Sequence, residues 1–156
     1  MECREKLEAY LRQNGVPFQV QHHPQAFTAQ EVSEREHVPG RLVAKVVIVI
    51  ADGRKAMLVV PAPWRVDLVK TAAMLGAKEA RLAREDEFVA AFPDCEVGAM
   101  PPFGNLYNLT VHVDRALAED ETIFFQAGTH SDSMSLKYAD FERLVKPTVA
   151  TFAYHA

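Results

Sequence analysis

The chain has little of what covalent or metal-dependent catalysis requires. Its 156 residues hold two cysteines, Cys3 and Cys95, far apart and without Cys-x-x-Cys spacing, which argues against a zinc site or a disulfide framework and predicts two free thiols. There is no Gly-x-Ser-x-Gly elbow, no His-Glu-x-x-His, no P-loop and no dinucleotide fingerprint. No run approaches 18 uncharged apolar residues, and Met1-Glu2-Cys3-Arg4-Glu5-Lys6 is charged from the start. Neither a helical membrane span nor a secretory signal is expected, and a cytoplasmic location is.

What is present suffices for one domain spanning 1–156, since 49% of residues are hydrophobic and the length allows a real core. Leu7, Tyr10 and Leu11 at helical spacing predict a helix over 4–13, stopped at Asn14-Gly15, with 16–20 extended. Thr28-Ala29-Gln30-Glu31 fits a capping box opening a helix to about His37. The β-branched run 43–51, the hairpin signal Asp52-Gly53 and the apolar run 56–61 predict a central hairpin. Helices are expected over 67–75, 85–92 and 138–145, and strands over 109–113, 122–127 and 149–154, with the nearly all-apolar 122–127 central in its sheet. Strands and helices without regular βαβ alternation indicate an α+β fold, a mixed, mostly antiparallel central sheet flanked by helices.

The net charge of −4 hides an asymmetry. From His37 to Arg84 nine Lys and Arg face three acids, whereas from Glu85 to Glu142 twelve acids face Arg115 and Lys137. A polyanion could be steered to one face of an acidic molecule, although folding can also mix these charges.

Three places stand out chemically. Gly98-Ala99-Met100-Pro101-Pro102-Phe103-Gly104-Asn105 joins glycines, which permit positive φ and close approach, to prolines that stiffen the backbone. It reads as a surface offering bare N–H groups, or as a rigid connector around Phe103. Lys45 opens the apolar run Val46-Val47-Ile48-Val49-Ile50, where its charge must snorkel to the rim or meet an anion. His130 follows Ala127-Gly128-Thr129 at the end of an apolar strand. Thr129-His130-Ser131-Asp132 cannot act as a local triad, because sequence neighbours cannot form the nucleophile, base and orienter line. His22-His23 on an extended segment point to opposite sides and make a poor metal pair.

Lys45 opening a central strand, the Gly98–Gly104 loop with its Pro101-Pro102 core, and Ala127-Gly128-Thr129-His130 ending a late strand resemble, in that order and spacing, the YbaK/ProX-type aminoacyl-tRNA editing family. That family includes stand-alone deacylases and the editing domain inserted in bacterial prolyl-tRNA synthetases, and the resemblance covers nearly the whole chain. It implies hydrolysis of the ester joining a wrong amino acid to the terminal adenosine of a tRNA. Neither metal, cofactor nor protein nucleophile is implied, and the ribose 2'-hydroxyl would help activate the water.

Carried over by position, Lys45 would anchor the terminal nucleotide. Backbone amides around Gly98 and Gly104 would hold the ester, and His130 would border the aminoacyl pocket. Val46, Met100, Pro101, Pro102, Phe103, Gly128 and Thr129 would shape the substrate site. The expected partners are a misacylated tRNA acceptor end, first guess alanine on tRNA(Pro), and an aminoacyl-tRNA synthetase. Family members often have Thr, Ser or Asn directly after the lysine, where this chain has Val46, so specificity does not transfer with the motif. Two other readings stay open: a hydrolase of another small acyl ester, and a non-catalytic module that binds the aminoacylated nucleotide end.

Overall fold

The structure, a computed structural model, describes residues 2–155. Helix α1 (Cys3–Gln13) buries Cys3, Leu7 and Leu11, four residues apart on one face, and leads to β1 (Gln19–His22). At the start of α2 (Ala29–Glu36) the Thr28 hydroxyl accepts the Glu31 N–H at 3.1 Å. The Glu31 carboxylate accepts from Phe27 N–H at 3.2 Å, one residue before the position of an ideal capping box. Strands β2 (Ala44–Ala51) and β3 (Arg54–Pro61) form the expected hairpin, with Asp52 and Gly53 at φ 48° and 82° as a two-residue turn of positive φ requires.

Next come β4 (Trp64–Val66) and α3 (Leu68–Leu75), the latter capped by the Asp67 side chain and closed by left-handed Gly76. They are followed by β5 (Ala80–Leu82) and α4 (Glu85–Phe88), which tightens into a 3₁₀ turn over Val89–Ala91. The expected single helix over 85–92 is therefore two short pieces, after which Phe92 packs against Tyr107 with ring centroids 4.8 Å apart. The remaining elements are β6 (Val111–Asp114), α5 (Arg115–Ala118), β7 (Thr122–Thr129), β8 (Asp132–Lys137), α6 (Tyr138–Val145), β9 (Thr148–Ala150) and β10 (Ala153–His155).

The fold is α+β and mostly antiparallel, as expected, but its strands divide into three sheets. A five-stranded sheet has the order β5-β2-β3-β6-β9, with β6 parallel to β3 and β9 parallel to β6; β1-β8-β7 and β10-β4 are antiparallel. Two expectations are corrected here. The strand predicted over 149–154 is split between β9 and β10, because the buried Asp114 carboxylate accepts the Phe152 and Ala153 N–H groups at 3.0 and 2.9 Å and turns the chain between sheets. And β7 is an edge of its sheet, with β8 in the middle. Both faces of β7 are covered: Ile123, Phe125 and Ala127 enter the main core, and Phe124 joins the small core beneath α2.

A third correction concerns the cysteines. Cys3 and Cys95 form a disulfide across 92 residues of sequence. Cys3 N–H donates to the Asp94 carbonyl at 3.1 Å, which seats the first turn of α1 against residues 94–95, a proximity that sequence spacing does not encode. Asp94 shares this corner, its ligand oxygen lying with both sulfurs inside 4.8 Å, but those sulfurs are bonded to each other.

Candidate functional site

Strand β2 carries Lys45 out of the core at the end of the five-stranded sheet, and the half-buried ammonium donates to the Trp64 carbonyl at 2.6 Å. Burial, reinforced by the nearby Arg65 guanidinium, pulls its pKa below the ordinary lysine value. Among the described residues neither Lys45 nor Arg65 forms a salt bridge. Two close cations without a counter-charge make a locus for an anion.

Lys45 stands on the rim shared by two cavities. The inner one, about 200 Å³, is walled by Ala44, Val46, Gly98 and Met100 on one side and by Phe27, Thr28 and Ala29 at the start of α2 on the other, with Gln126 also in its lining. The outer one, about 430 Å³, shares Thr28, Ala29 and Lys45 and continues over Pro63, Trp64 and Arg65. A larger cavity of about 640 Å³ between α3 and β5 contains none of the expected site residues. Two of its charged residues are engaged within the fold: Asp52 accepts the Lys78 and Glu79 N–H groups, and Arg81 forms a bidentate pair with Glu87.

The wall at Gly98 is set by backbone bonds. Glu96 N–H donates to the Gly128 carbonyl and Gly128 N–H to the Ala99 carbonyl, both at 2.9 Å, which stitches 96–99 onto β7. Gly98 takes φ 83°, a left-handed conformation that favours glycine. Its N–H and that of Met100 make no hydrogen bond among the described residues, so both donors remain available beside the inner cavity. The wall is rigid because Phe103 behind it is fully buried, edge-on to Phe125 and Phe141 at 5.6 and 5.4 Å.

His130 lies in the turn between β7 and β8, one layer behind the lining. Its Nε2–H donates to the Val97 carbonyl and its backbone N–H to the Glu96 carboxylate, both at 2.8 Å. Its ring packs on Phe27 at 4.8 Å, and its Cε1 is 3.6 Å from where a Gly98 side chain would begin. With Nε2 donating, the neutral ring keeps an acceptor at Nδ1, which is buried without a partner.

The structure thus brings Lys45, Val46, Gly98 and Met100 together at one cavity, with His130 braced behind it. Buried Pro101, Pro102 and Phe103 form the layer beneath. Gly104 faces the core, where an added Cβ would meet Val111 Cγ2 at 2.8 Å, and Gly128 faces α1, where one would meet Cys3 Sγ at 2.7 Å. Thr129 turns away to donate to Asp132 at 2.6 Å. Sequence reasoning overlooked Phe27, Thr28, Ala29, Ala44 and Gln126 in the inner lining and Trp64 and Arg65 in the outer. Only Gln126 carried a signal, as the one polar residue in an otherwise apolar run; its amide donates to the Ala26 carbonyl at 2.8 Å and ties β7 to the segment before α2.

Comparison with known proteins agrees in family and fold. Residues 23–144 match the family model described as the aminoacyl-tRNA editing domain. Over 153 residues the chain is 30% identical to the multifunctional Ser/Thr-tRNA deacylase ProXp-y of Escherichia coli (strain K12), covering 95% of this chain and 91% of that protein. Among solved structures it is similar to hypothetical protein APE2540, with TM-score 0.87, 21% identity and 96% and 99% of the two chains covered. It is also similar to a candidate trans-editing enzyme for prolyl-tRNA synthetase, with TM-score 0.85, 18% identity and 99% and 98% covered. At those identities the structural likenesses speak for the fold.

Proposed function

Because the chain belongs to the aminoacyl-tRNA editing domain family, with the match running over residues 23–144, we propose that as one domain it hydrolyses misacylated tRNA at the inner cavity, with alanine on tRNA(Pro) as its first substrate. The observation that carries this reading is Lys45, a half-buried cation without a counter-charge among the described residues, on the rim between a small cavity and a wider one.

Lys45 holds the terminal phosphate. The carbonyl lies against the Gly98 and Met100 N–H groups, aimed where negative charge develops when water adds. The neighbouring ribose hydroxyl helps take the water proton. Collapse of the tetrahedral intermediate breaks the ester C–O bond and releases the amino acid and a tRNA with its terminal hydroxyl restored. An aminoacyl ester is already activated, so placement and oxyanion donors are enough without a protein nucleophile. His130 acts as a positioning residue, holding Phe27 and the Gly98 wall in place.

The inner cavity of about 200 Å³ has room for roughly six or seven waters at ~30 Å³ each, which accommodates a small amino acid. Ala44, Val46 and Met100 make one wall aliphatic, Thr28, Lys45 and Gln126 are its polar lining, and the Gln126 amide donor is engaged by Ala26. This favours alanine over the hydroxylated residues in the name of the Escherichia coli relative. The work belongs in the cytoplasm, on tRNA presented free or by a synthetase.

The test is a panel of alanyl-, seryl-, threonyl- and prolyl-tRNA incubated with the purified protein. Alanyl-tRNA(Pro) should lose its ester fastest and prolyl-tRNA should be spared, with KM rising as salt is added because phosphate contacts release counterions. Preferential loss of seryl- or threonyl-tRNA would overturn the alanine assignment. Protection of every ester would make the chain a binding module.

A further inference from the structure

We propose that the outer cavity is a nucleobase-stacking subsite built on Trp64 and Arg65, which takes the base of the terminal nucleotide while Lys45 and Arg65 share its phosphate. This rests on the deacylase reading and extends it to a residue pair that no motif pointed to.

Several observations converge on it. Trp64 is the one tryptophan in the chain, it is half-buried, and it lines a cavity that shares its rim with the aminoacyl pocket. An ester in the inner cavity therefore places the nucleoside that bears it over Trp64. Trp64 is held from three directions, two at its backbone and one at its ring. Its backbone carbonyl accepts the Lys45 ammonium at 2.6 Å, its strand β4 pairs with β10 at Trp64↔His155 and Tyr154↔Arg65, and its ring meets the His155 ring edge-on at 6.0 Å. Such a fixed aromatic surface loses little entropy on stacking, and an indole beside a guanidinium is the combination that single-stranded nucleic acid sites use. The charge is complementary: Arg65 is exposed, Lys45 is next to it, and no carboxylate pairs with either among the described residues.

As the sole tryptophan, Trp64 reports on its own occupancy through intrinsic fluorescence. Adenosine 5'-monophosphate and an uncharged CCA trinucleotide should each quench the wild-type protein saturably, and added salt should weaken both. Quenching by the trinucleotide but not by the mononucleotide would put a different base on the indole and overturn the assignment. Quenching by neither, from a preparation that deacylates mischarged tRNA, would overturn the subsite while leaving the deacylase reading intact. A preparation that quenches but spares every ester would sustain the subsite and count against deacylation instead. In kinetics, Trp64→Ala should raise KM for mischarged tRNA about tenfold through lost stacking, with kcat within about twofold and Trp64→Phe restoring most of the loss. A fall in kcat that Trp64→Phe does not rescue would show a structural role and overturn the proposal. Should Trp64→Ala fail to fold, the wild-type titrations decide alone.

Discussion

Two groups of polar residues flank the turn between β7 and β8, and they differ in what is left over. On one side the Asp132 carboxylate meets the Arg4 guanidinium at 3.1 Å, the His22 imidazole and the Thr129 hydroxyl. On the other, His130 is held by Val97 and Glu96 with one ring nitrogen unpartnered, behind Gly98 and Met100 N–H groups and a Lys45 that lack hydrogen-bond partner and counter-charge respectively among the described residues. The first group has the Asp, His, Arg and Thr that a search for catalytic side chains would choose, and the other three converge on the Asp132 carboxylate. The second has almost no reactive chemistry, and its donors and its cation await a partner. The proposed site is thus marked by unmet hydrogen-bonding capacity around a cavity, not by density of titratable groups.

The Cys3–Cys95 disulfide spans the two groups, since Cys3 adjoins Arg4 and Cys95 adjoins the Glu96-Val97 pair that grips His130. Breaking it should have the largest effect: Cys3→Ser should cost about 2–4 kcal/mol of stability from the lost constraint on a long loop, read as a lower midpoint in urea unfolding. An unchanged midpoint would mean that packing alone holds α1 in place.

Lys45→Ala should sharpen the contrast, lowering kcat/KM on mischarged tRNA about tenfold to a hundredfold through loss of a charged contact while leaving the unfolding midpoint near wild type. Hydrolysis at the wild-type rate would remove Lys45 from the site.

Asp132→Asn should do the reverse, costing about 1 kcal/mol of stability, a modest figure because Arg4 and His22 face solvent, with turnover per folded molecule preserved. Burial alone would raise the Asp132 pKa, but the Thr129 hydroxyl, His22 and Arg4 together hold it below the usual carboxylate value. The folded state therefore binds this proton more weakly than the unfolded chain. The contribution is complete above the unfolded pKa of about 3.9 and is lost as pH falls through the lower folded value. Unfolding midpoints measured down through pH 4 should fall less steeply in Asp132→Asn than in the wild type, and parallel curves would assign the acid sensitivity elsewhere.

The smallest expected effect is His130→Ala, a drop of about threefold to tenfold in single-turnover rate, the scale of one neutral hydrogen bond. A loss as large as that of Lys45→Ala would move His130 from bracing the wall to contacting the substrate.

Local chemistry was legible in the sequence. The Asp52-Gly53 hairpin and the Thr28 cap act over four residues or fewer, and both are found where local rules place them. Strand β8 went unread although Ser133-Met134-Ser135-Leu136 alternates with period two, because four residues between polar neighbours are a weak signal. The split of the last strand between two sheets was not legible, since it goes with Asp114 bonding to amides 38 and 39 residues away. Nor was the disulfide, joined across 92 residues. At the site, Lys45 and Gly98 stood out as exceptions to local rules, a charge at the head of an apolar strand and a glycine before paired prolines. Phe27, Ala29 and Trp64 broke no such rule, and only the folded chain brings them to the cavity.

The inner cavity draws its walls from four separate stretches of chain, around residues 27–29, 44–46, 98–100 and 126. No single stretch, nor any two adjacent ones, contains a rudimentary version of it. The proposed hydrolysis at this cavity is therefore a property of the finished molecule. Heating should extinguish activity and near-ultraviolet circular dichroism together, so that turnover counts native molecules.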